Sequence, residues 1–309
     1  MKYLEREPVS AMLKPHVKCV WTLRRSYPGD GAGEVLWPDP CKEILFHHGR
    51  VFRDRGELLP DSCVMGTLSG YRRLDARGDL VLYGIRLQPW GLSLITDRPV
   101  RAFNDRFTPL AELLADREAC EETRADRPAR KEDRERPTPR MHLERLERLE
   151  HRLAAADMDE AQSELELFLE SLIDPSRADL GLCAVLGRLT DRPETYTVAD
   201  AARDLGVSLR QLERRCLKAT GLTPKRLHKI ARFNRVRLRL LWRPDLDLRD
   251  LMVEAGYYDY SHFSKDFHEC LGLAPARFQA WAARLASDHG PRDVEFLQDN
   301  SGENRYDAG

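Results

Sequence analysis

The sequence predicts an α+β chain: an antiparallel β-barrel or sandwich in front, a helical connector in the middle, and an all-α unit of two helix-turn-helix motifs behind. Three observations predict it. Short strings of β-branched, aromatic and aliphatic residues, separated by turn residues, fill the first third, and apolar residues at three- and four-residue spacing follow. Between them, Asp116 to Arg140 has almost no apolar residue. Basic residues gather in the last third, around two turn glycines, Gly206 and Gly256, that stand 50 residues apart. With 309 residues the chain is long enough for two domains with separate cores.

Composition narrows the classes. Hydrophobic residues make up 42% and charged residues 33%, which describes a soluble globular chain and argues against whole-chain disorder. No run approaches the roughly 18 apolar residues of a membrane span. No long apolar stretch follows the basic residue in MKYLEREPVSAML, so no secretory signal and no membrane partner is expected, and the cytoplasm is the expected compartment. Seven cysteines (Cys19, Cys41, Cys63, Cys120, Cys183, Cys216, Cys270) lie far apart without a CxxC pair. They predict no zinc cluster, no disulfide framework and no cofactor.

In chain order, residues 1–115 read as β-structure. VKCVWTLRR, KEILFHHGRV and DLVLYGIRL are strand-like, and SYPGDGAGE, WPDP, RDRGELLPDS and DARGD are turns. No βαβ rhythm runs through them. FTPLAELLA predicts a short helix opened by Thr108 with Pro109 in its first turn. Residues 116–140 read as a charged, disordered insertion. Residues 141–192 form the connector, where Leu143, Leu146, Leu149 and Leu153, then Leu165, Phe168, Leu169 and Leu172, recur at helical spacing. Such stripes suit the inner face of a helical hairpin, with a homodimer seam as the alternative. Leu180–Thr190 adds another helix, residues 193–286 carry the two motifs, and residues 287–309 read as a flexible tail.

The net charge of −1 conceals an asymmetry. Thr197–Arg243 carries 13 Lys or Arg against 3 Asp or Glu, and Thr195–Leu285 carries 17 against 10. A basic segment inside a near-neutral chain is an electrostatic footprint for nucleic acid. Within it, Thr197 predicts a helix cap, Val198, Ala201, Ala202 and Leu205 an apolar stripe, and Gly206 a left-handed stop. Ser208 with Gln211 makes a capping-box pattern, and Leu212, Cys216 and Ala219 point inward. A close contact at an alanine, a turn at a glycine and a buried leucine are the needs of two crossing helices. That leaves Arg210, Gln211, Glu213 and Arg214 outward, with Lys218 further along. Arginine reads guanine and glutamine reads adenine in the major groove.

A long helix follows from Thr223 and Pro224, with Arg226, Lys229, Arg232, Arg235, Arg237 and Arg239 within reach of phosphates or of neighbouring acids. The pattern then repeats. LRDLMVEAG, with Asp247 as cap, ends at Gly256, and YYDYSHFSKDFHECLG buries Phe263 and Phe267. Tyr260, Ser261, Ser264, Lys265 and His268 are left outward. Two such helices held by one connector can enter successive major grooves about 34 Å apart. Asp245–Cys270 is acidic, with Arg249 and Lys265 against seven Asp or Glu. Phosphate attraction is therefore expected from the first motif and the connecting helix, the second refining register.

Residues from about Thr197 to Gln279 resemble the DNA-binding domain of the AraC/XylS family of transcription regulators. ADAARDLGVSLRQLERRCLKATGLTPKRL and LMVEAGYYDYSHFSKDFHECLGLAPARF carry the resemblance, including SHF, the second Phe and Pro275. It implies base contacts at Arg210, Glu213 and Arg214, and at Tyr260, Ser261, Ser264 and Lys265. It implies double-stranded DNA as partner and RNA polymerase as a candidate one. Three positions depart from the family pattern: Met252 for a small alanine, Cys216 for a phenylalanine and Lys265 for an arginine. The front half, through WPDPCKEILFHHG and GIRLQPWGLSLITDRPVRAFNDRFTPLAELL, looks like an uncharacterised β-rich domain often fused to such regulators. In related regulators a cupin-like domain at this place senses a small molecule or mediates dimerisation.

No catalytic or metal site is expected. His47 and His48 are adjacent on a presumed strand and so face opposite ways, and His16 and Glu43 offer no ligand spacing. No Gly-rich phosphate loop or nucleophile elbow stands out. Three readings stay open: a regulator responsive to a small-molecule effector, a regulator governed by its abundance or a protein partner, and a DNA-directed enzyme or damage sensor.

Overall fold

The computed structural model describes residues 2–27, 33–49, 52–122 and 139–289. Its front half holds ten strands among the described residues: β1 (Lys2–Arg6), β2 (Val17–Tyr27), β3 (Gly33–Leu36), β4 (Lys42–His48), β5 (Phe52–Asp54), β6 (Glu57–Leu58), β7 (Ser62–Met65), β8 (Arg72–Ala76), β9 (Gly78–Leu87) and β10 (Phe107–Pro109). They form a six-stranded sheet in the order β1-β2-β9-β4-β7-β10 and a four-stranded sheet in the order β3-β8-β5-β6. Every pairing is antiparallel. The two sheets form a sandwich, and no closed barrel exists among the described residues.

Strand alternation explains how the larger sheet is covered on both faces. Leu45, Leu82, Trp21 and Cys63 pack with Leu36, Phe52 and Leu74 of the smaller sheet. Their neighbours Ile44, Phe46, Tyr83, Ile85 and Val64 point the other way, into a core shared with helices. Those helices are α1 (Leu110–Glu122), α2 (Pro139–Leu153) and α3 (Met158–Leu172). Leu146, Leu149, Leu153, Leu165, Phe168, Leu169 and Leu172 all lie in that core. The leucine stripes are thus the inner face of a hairpin laid on the sheet, and burial of this kind contributes roughly 1.5–3 kcal/mol per large apolar side chain.

Two boundaries differ from expectation. Thr108 does not open a helix: Phe107–Pro109 pairs with Met65–Cys63, and α1 begins at Leu110. The proline is tolerated because β10 is an edge strand. The helix then runs past Asp116, where the charged insertion was expected to start, because Leu110, Leu113 and Leu114 are buried and Arg98 pairs with Glu112 and Asp116, each at 2.8 Å. The rest of that expected insertion, residues 123–138, and the tail from residue 290 lie outside the described residues.

After α4 (Leu180–Asp191), the back half consists of α5 (Val198–Asp204), α6 (Leu209–Thr220), α7 (Pro224–Trp242), α8 (Leu248–Glu254), α9 (Tyr260–Leu271) and α10 (Pro275–His289). The two halves share cores. Trp37 of the front half packs edge-on against Phe278 and Trp281 and lies under the Arg237 guanidinium, 4.9 Å from the ring centre. Asn234 donates to Asp39 at 2.8 Å. Trp90 joins Leu186, Leu212 and Ile230 in the core of the first motif. Nearby, Lys42 is wholly buried and donates to the Pro89 carbonyl at 3.1 Å, and burial pushes its pKa down to about 8.

Candidate nucleic-acid interface

Both motifs are assembled by the same local devices. In the first, the Thr197 hydroxyl accepts from the Asp200 amide at 3.2 Å, and the Asp200 carboxylate accepts from the Thr197 amide at 2.9 Å. The chain turns at Gly206, φ 67°, and Ser208 caps α6 by accepting from the Gln211 amide at 3.3 Å. In the second, Asp247 caps α8, the turn is Gly256 at φ 71°, and Asp259 caps α9 by accepting from the His262 amide at 2.8 Å. Each cap satisfies backbone donors that a helix start leaves open.

Inward faces then fix outward ones. Leu212 and Cys216 of α6 are fully buried against Ala201, Ala202, Leu227 and Ile230. Burial pushes the Cys216 thiol up to about 11, so it behaves as a small apolar group. This leaves Arg210, Gln211, Glu213, Arg214 and Lys218 exposed. On α9, Phe263, Phe267 and Cys270 are buried, and Tyr260, Ser261, Lys265 and His268 are exposed. Ser264 is half-buried. Met252, at the helix crossing, is accommodated half-buried at the edge of the aromatic core.

Gln211 is more constrained than its sequence context suggests. Its side-chain oxygen accepts from the Ser208 amide at 2.9 Å and the Ser208 hydroxyl at 3.0 Å. Bidentate reading of adenine needs both ends of the amide. In this conformer only the amino end is available, so cap and base compete for one side chain.

The charges sort sharply. Five cations of α7 are occupied by acids: Lys229 pairs with Asp266 at 2.7 Å and with Glu269, Arg226 with Glu269, Arg232 with Asp266 at 3.6 Å, Arg235 with Glu194 at 3.4 Å, and Arg239 with Glu254. Hydrogen bonding from Lys229, with its charge and that of Arg226, holds the Glu269 carboxyl below the usual carboxylate range. The connecting helix therefore contributes less free positive charge than its sequence promises. Arg210, Arg214 and Lys218 form no ion pair among the described residues, and neither does Lys265. Arg215, their neighbour, is turned back onto Asp179, with 3.0 Å between its Nε and the carboxylate.

One exposed side chain was not foreseen. Tyr258 is 98% exposed just before the α9 cap, while Tyr257 beside it is buried under Arg232. Two adjacent tyrosines outside a regular helix carry no periodicity, so only the packing separates them.

Elsewhere, His47 is buried against Phe52 and donates from Nδ1 to the Pro60 carbonyl, 3.1 Å away, and His48 packs on Tyr83 on the opposite face. No cluster of three or more His, Cys, Asp or Glu suited to a metal occurs among the described residues. None of their helices is long and apolar enough to cross a membrane.

A capped short helix, a left-handed glycine turn and a capped longer helix occur twice around one connecting helix, and residues 201–280 match the family described as "Helix-turn-helix domain". The back of this chain is an AraC-type helix-turn-helix domain. Residues 5–109 match a family described as "Domain of unknown function (DUF6597)", which coincides with the β-sandwich ahead of the helix-turn-helix domain. A stretch of 124 residues is 32% identical to the transcriptional activator NphR from Rhodococcus sp, covering 38% of this chain and 36% of that protein. The chain thus matches about a third of the length of that relative. Among solved structures, ToxT from Vibrio cholerae superposes with a TM-score of 0.40 at 10% identity, over 84% of this chain and 97% of that one. Unsaturated fatty acid-bound ToxT gives 0.34 at 13% identity, over 85% and 95%.

Proposed function

We propose that this protein is a sequence-specific, DNA-binding transcription regulator, in which α6 supplies most of the affinity and α9 refines register. One observation supports the reading above the rest: α6 holds Arg210, Arg214 and Lys218 outward and unpaired on a capped helix of a helix-turn-helix motif. Arg210, Glu213 and Arg214, with Tyr260, Ser261, Ser264, Lys265 and His268, are the proposed contacts, and Gln211 contributes its amino end. Double-stranded DNA is the partner, and RNA polymerase at a promoter is the machinery acted upon.

The test is fluorescence anisotropy with DNA from upstream of the protein's own gene, a random duplex alongside, at two salt concentrations. Tight binding to the first duplex, weakened by salt and lowered roughly 30-fold or more in Arg210→Ala/Arg214→Ala, is the expected result. Absence of binding to any duplex at low salt refutes the reading.

Control by a small molecule through the front domain is the second part of the proposal. The sandwich interior, between Glu43, His47, Met65 and Phe107, encloses only about 10 Å³, scarcely room for one water. A groove of about 290 Å³ between α2 and α3, bordered by Arg145, Arg148 and Arg152 over Leu149 and Phe168, is the roomier place for an effector. The small interior equally favours a regulator governed by abundance, a protein partner or self-association. A melting temperature raised by a metabolite supports effector control, because a ligand of the folded state alone stabilises it. A complete metabolite screen without a shift supports the other.

A further inference from the structure

The two recognition helices end alike, and the front domain meets both ends. Helix α6 closes on Gly221 at φ 72° and α9 on Gly272 at φ 72°, the left-handed conformation that glycine adopts without strain. A Cβ on Gly221 would stand 2.8 Å from the Arg101 nitrogen and 2.9 Å from the Val100 carbonyl carbon. Asn104 also donates to the Gly221 carbonyl at 3.0 Å. A Cβ on Gly272 would overlap the Tyr71 ring. Beside it, the Arg226 guanidinium bridges Glu269 of α9 and the Ser69 carbonyl of the front domain. One front-domain segment, Val100–Arg106, thus seats the end of α6, and another, Gly66–Tyr71, seats the end of α9.

Those two segments are fastened to each other at their bases, where the Gly66 amide donates to the Arg106 carbonyl at 3.2 Å, and further out through Asp105. Its amide donates to the Thr67 carbonyl at 3.1 Å, its carboxylate accepts from the Ser69 amide at 2.6 Å, and its carbonyl accepts from Arg72 at 3.0 Å. Asp105 sits at φ 58°, one of two non-glycine residues in the left-handed region among those described. Aspartate tolerates this region better than most residues, yet such a conformation persists only where its surroundings over-determine it.

The helix α7 already links the motifs, but through different stretches: Leu227 and Ile230 serve the first core, Phe233, Val236, Leu240 and Leu241 the second. A single long helix bends gently. A second tie at the far ends of α6 and α9 turns an open chain of contacts into a closed ring, which is stiffer. We propose that Asp105 is a positioning residue for DNA recognition. By locking the Gly66–Tyr71 segment to the Val100–Arg106 segment, it sets the separation and tilt of α6 and α9, and so the spacing of the two half-contacts that the protein accepts. The proposal rests on the DNA-binding reading above only for its last step.

Three variants of the full chain separate the parts. Asp105→Asn keeps an acceptor and a tolerated backbone, Asp105→Gly keeps the backbone and loses the carboxylate, and Tyr71→Ala removes a half-exposed ring at α9 alone. Spin labels at Arg203→Cys and Val253→Cys, both exposed and in the first helix of each motif, report the separation of the motifs without DNA. The six described cysteines are buried, and Cys120→Ser removes the seventh. The wild type and Asp105→Asn should give the same narrow distance distribution, and Asp105→Gly and Tyr71→Ala a broader or displaced one. On bipartite duplexes whose spacer varies by single base pairs, preference for the best spacer over its neighbours should fall roughly threefold to tenfold in Asp105→Gly and stay in Asp105→Asn. An unchanged distance distribution in both Asp105→Gly and Tyr71→Ala overturns the tie, whatever the DNA result. A changed distribution in a protein whose wild type prefers no duplex upholds the tie and refutes the DNA-binding reading instead.

Discussion

Each motif joins a seven-residue helix to a twelve-residue one across a left-handed glycine, yet the two are filled and charged in opposite ways. The first has an aliphatic core of Leu212, Cys216, Leu227 and Ile230, closed by Trp90 from the front half. The second is aromatic, with Phe233, Tyr257, Phe263, Phe267 and Phe278 in mutual edge contacts and Trp37 closing it. Outside, α6 keeps Arg210, Arg214 and Lys218 clear of ion pairs among the described residues, and the acids of α8 and α9 instead neutralise much of α7. Backbone geometry depends on a few caps and glycines, and so it tolerates two different chemistries. The motif with free charge is suited to anchoring, and the motif with paired charge to fitting.

The sharpest way to break this comparison is binding. Arg210→Ala/Arg214→Ala removes two contacts worth about 1–3 kcal/mol each, a loss of roughly 30-fold or more, and should also flatten the salt dependence. Lys265→Ala should lose less at the same salt. Comparable losses in the two variants would end the ranking of the motifs. The next effect is on stability: Phe267→Ala opens a cavity in the aromatic core and should cost about 3–5 kcal/mol in denaturant unfolding, with Leu212→Ala at about 2–5 kcal/mol in the first core. A loss under about 1 kcal/mol for Phe267→Ala would mean that the second core is not tightly packed.

Caps test the claim that local geometry is the same in both motifs. Ser208→Ala and Asp259→Ala should each cost about 1 kcal/mol, and a twofold disparity in melting shifts would show unequal helix starts. The smallest effect is electrostatic. Glu269 titrates below its ordinary 4.5 because Lys229 and Arg226 hold the charged form. Its contribution is therefore present above about pH 4.5 and is lost as pH falls through the lower, folded value. With Glu269 about half exposed, that contribution is under about 1 kcal/mol after solvent screening. Unfolding of Glu269→Gln should lack this part of the acid slope and match the wild type at acid pH. An acid slope identical in the two proteins would show that the pairing contributes nothing.

Much of the helix-turn-helix framework was legible because it is built from local rules. Thr197, Ser208, Asp247 and the two turn glycines announce helix starts and stops within a few residues of themselves, and Leu212 and Phe267 show their burial by spacing. The resemblance of Thr197–Gln279 to known DNA-binding domains rested on those same residues. The sandwich was legible as β-structure, but the choice between barrel and sandwich was not, since it depends on which strands pair across long loops. Thr108 misled because a capping residue before proline is also an acceptable edge-strand end.

The sequence by itself determined the helices, their caps, the outward basic face of α6 and the kind of partner such a face attracts, because each depends on residues one to four positions apart. Only the tertiary structure decided which cations are free. Arg226 and Glu269 are 43 residues apart and meet on the folded surface, and the same holds for Lys229 and Asp266. It also decided that Gly221 and Gly272 are docking points as well as helix ends, since their neighbours, Arg101 and Tyr71, belong to another domain. Long-range pairing is set by packing of whole elements, and no periodicity along the chain records it.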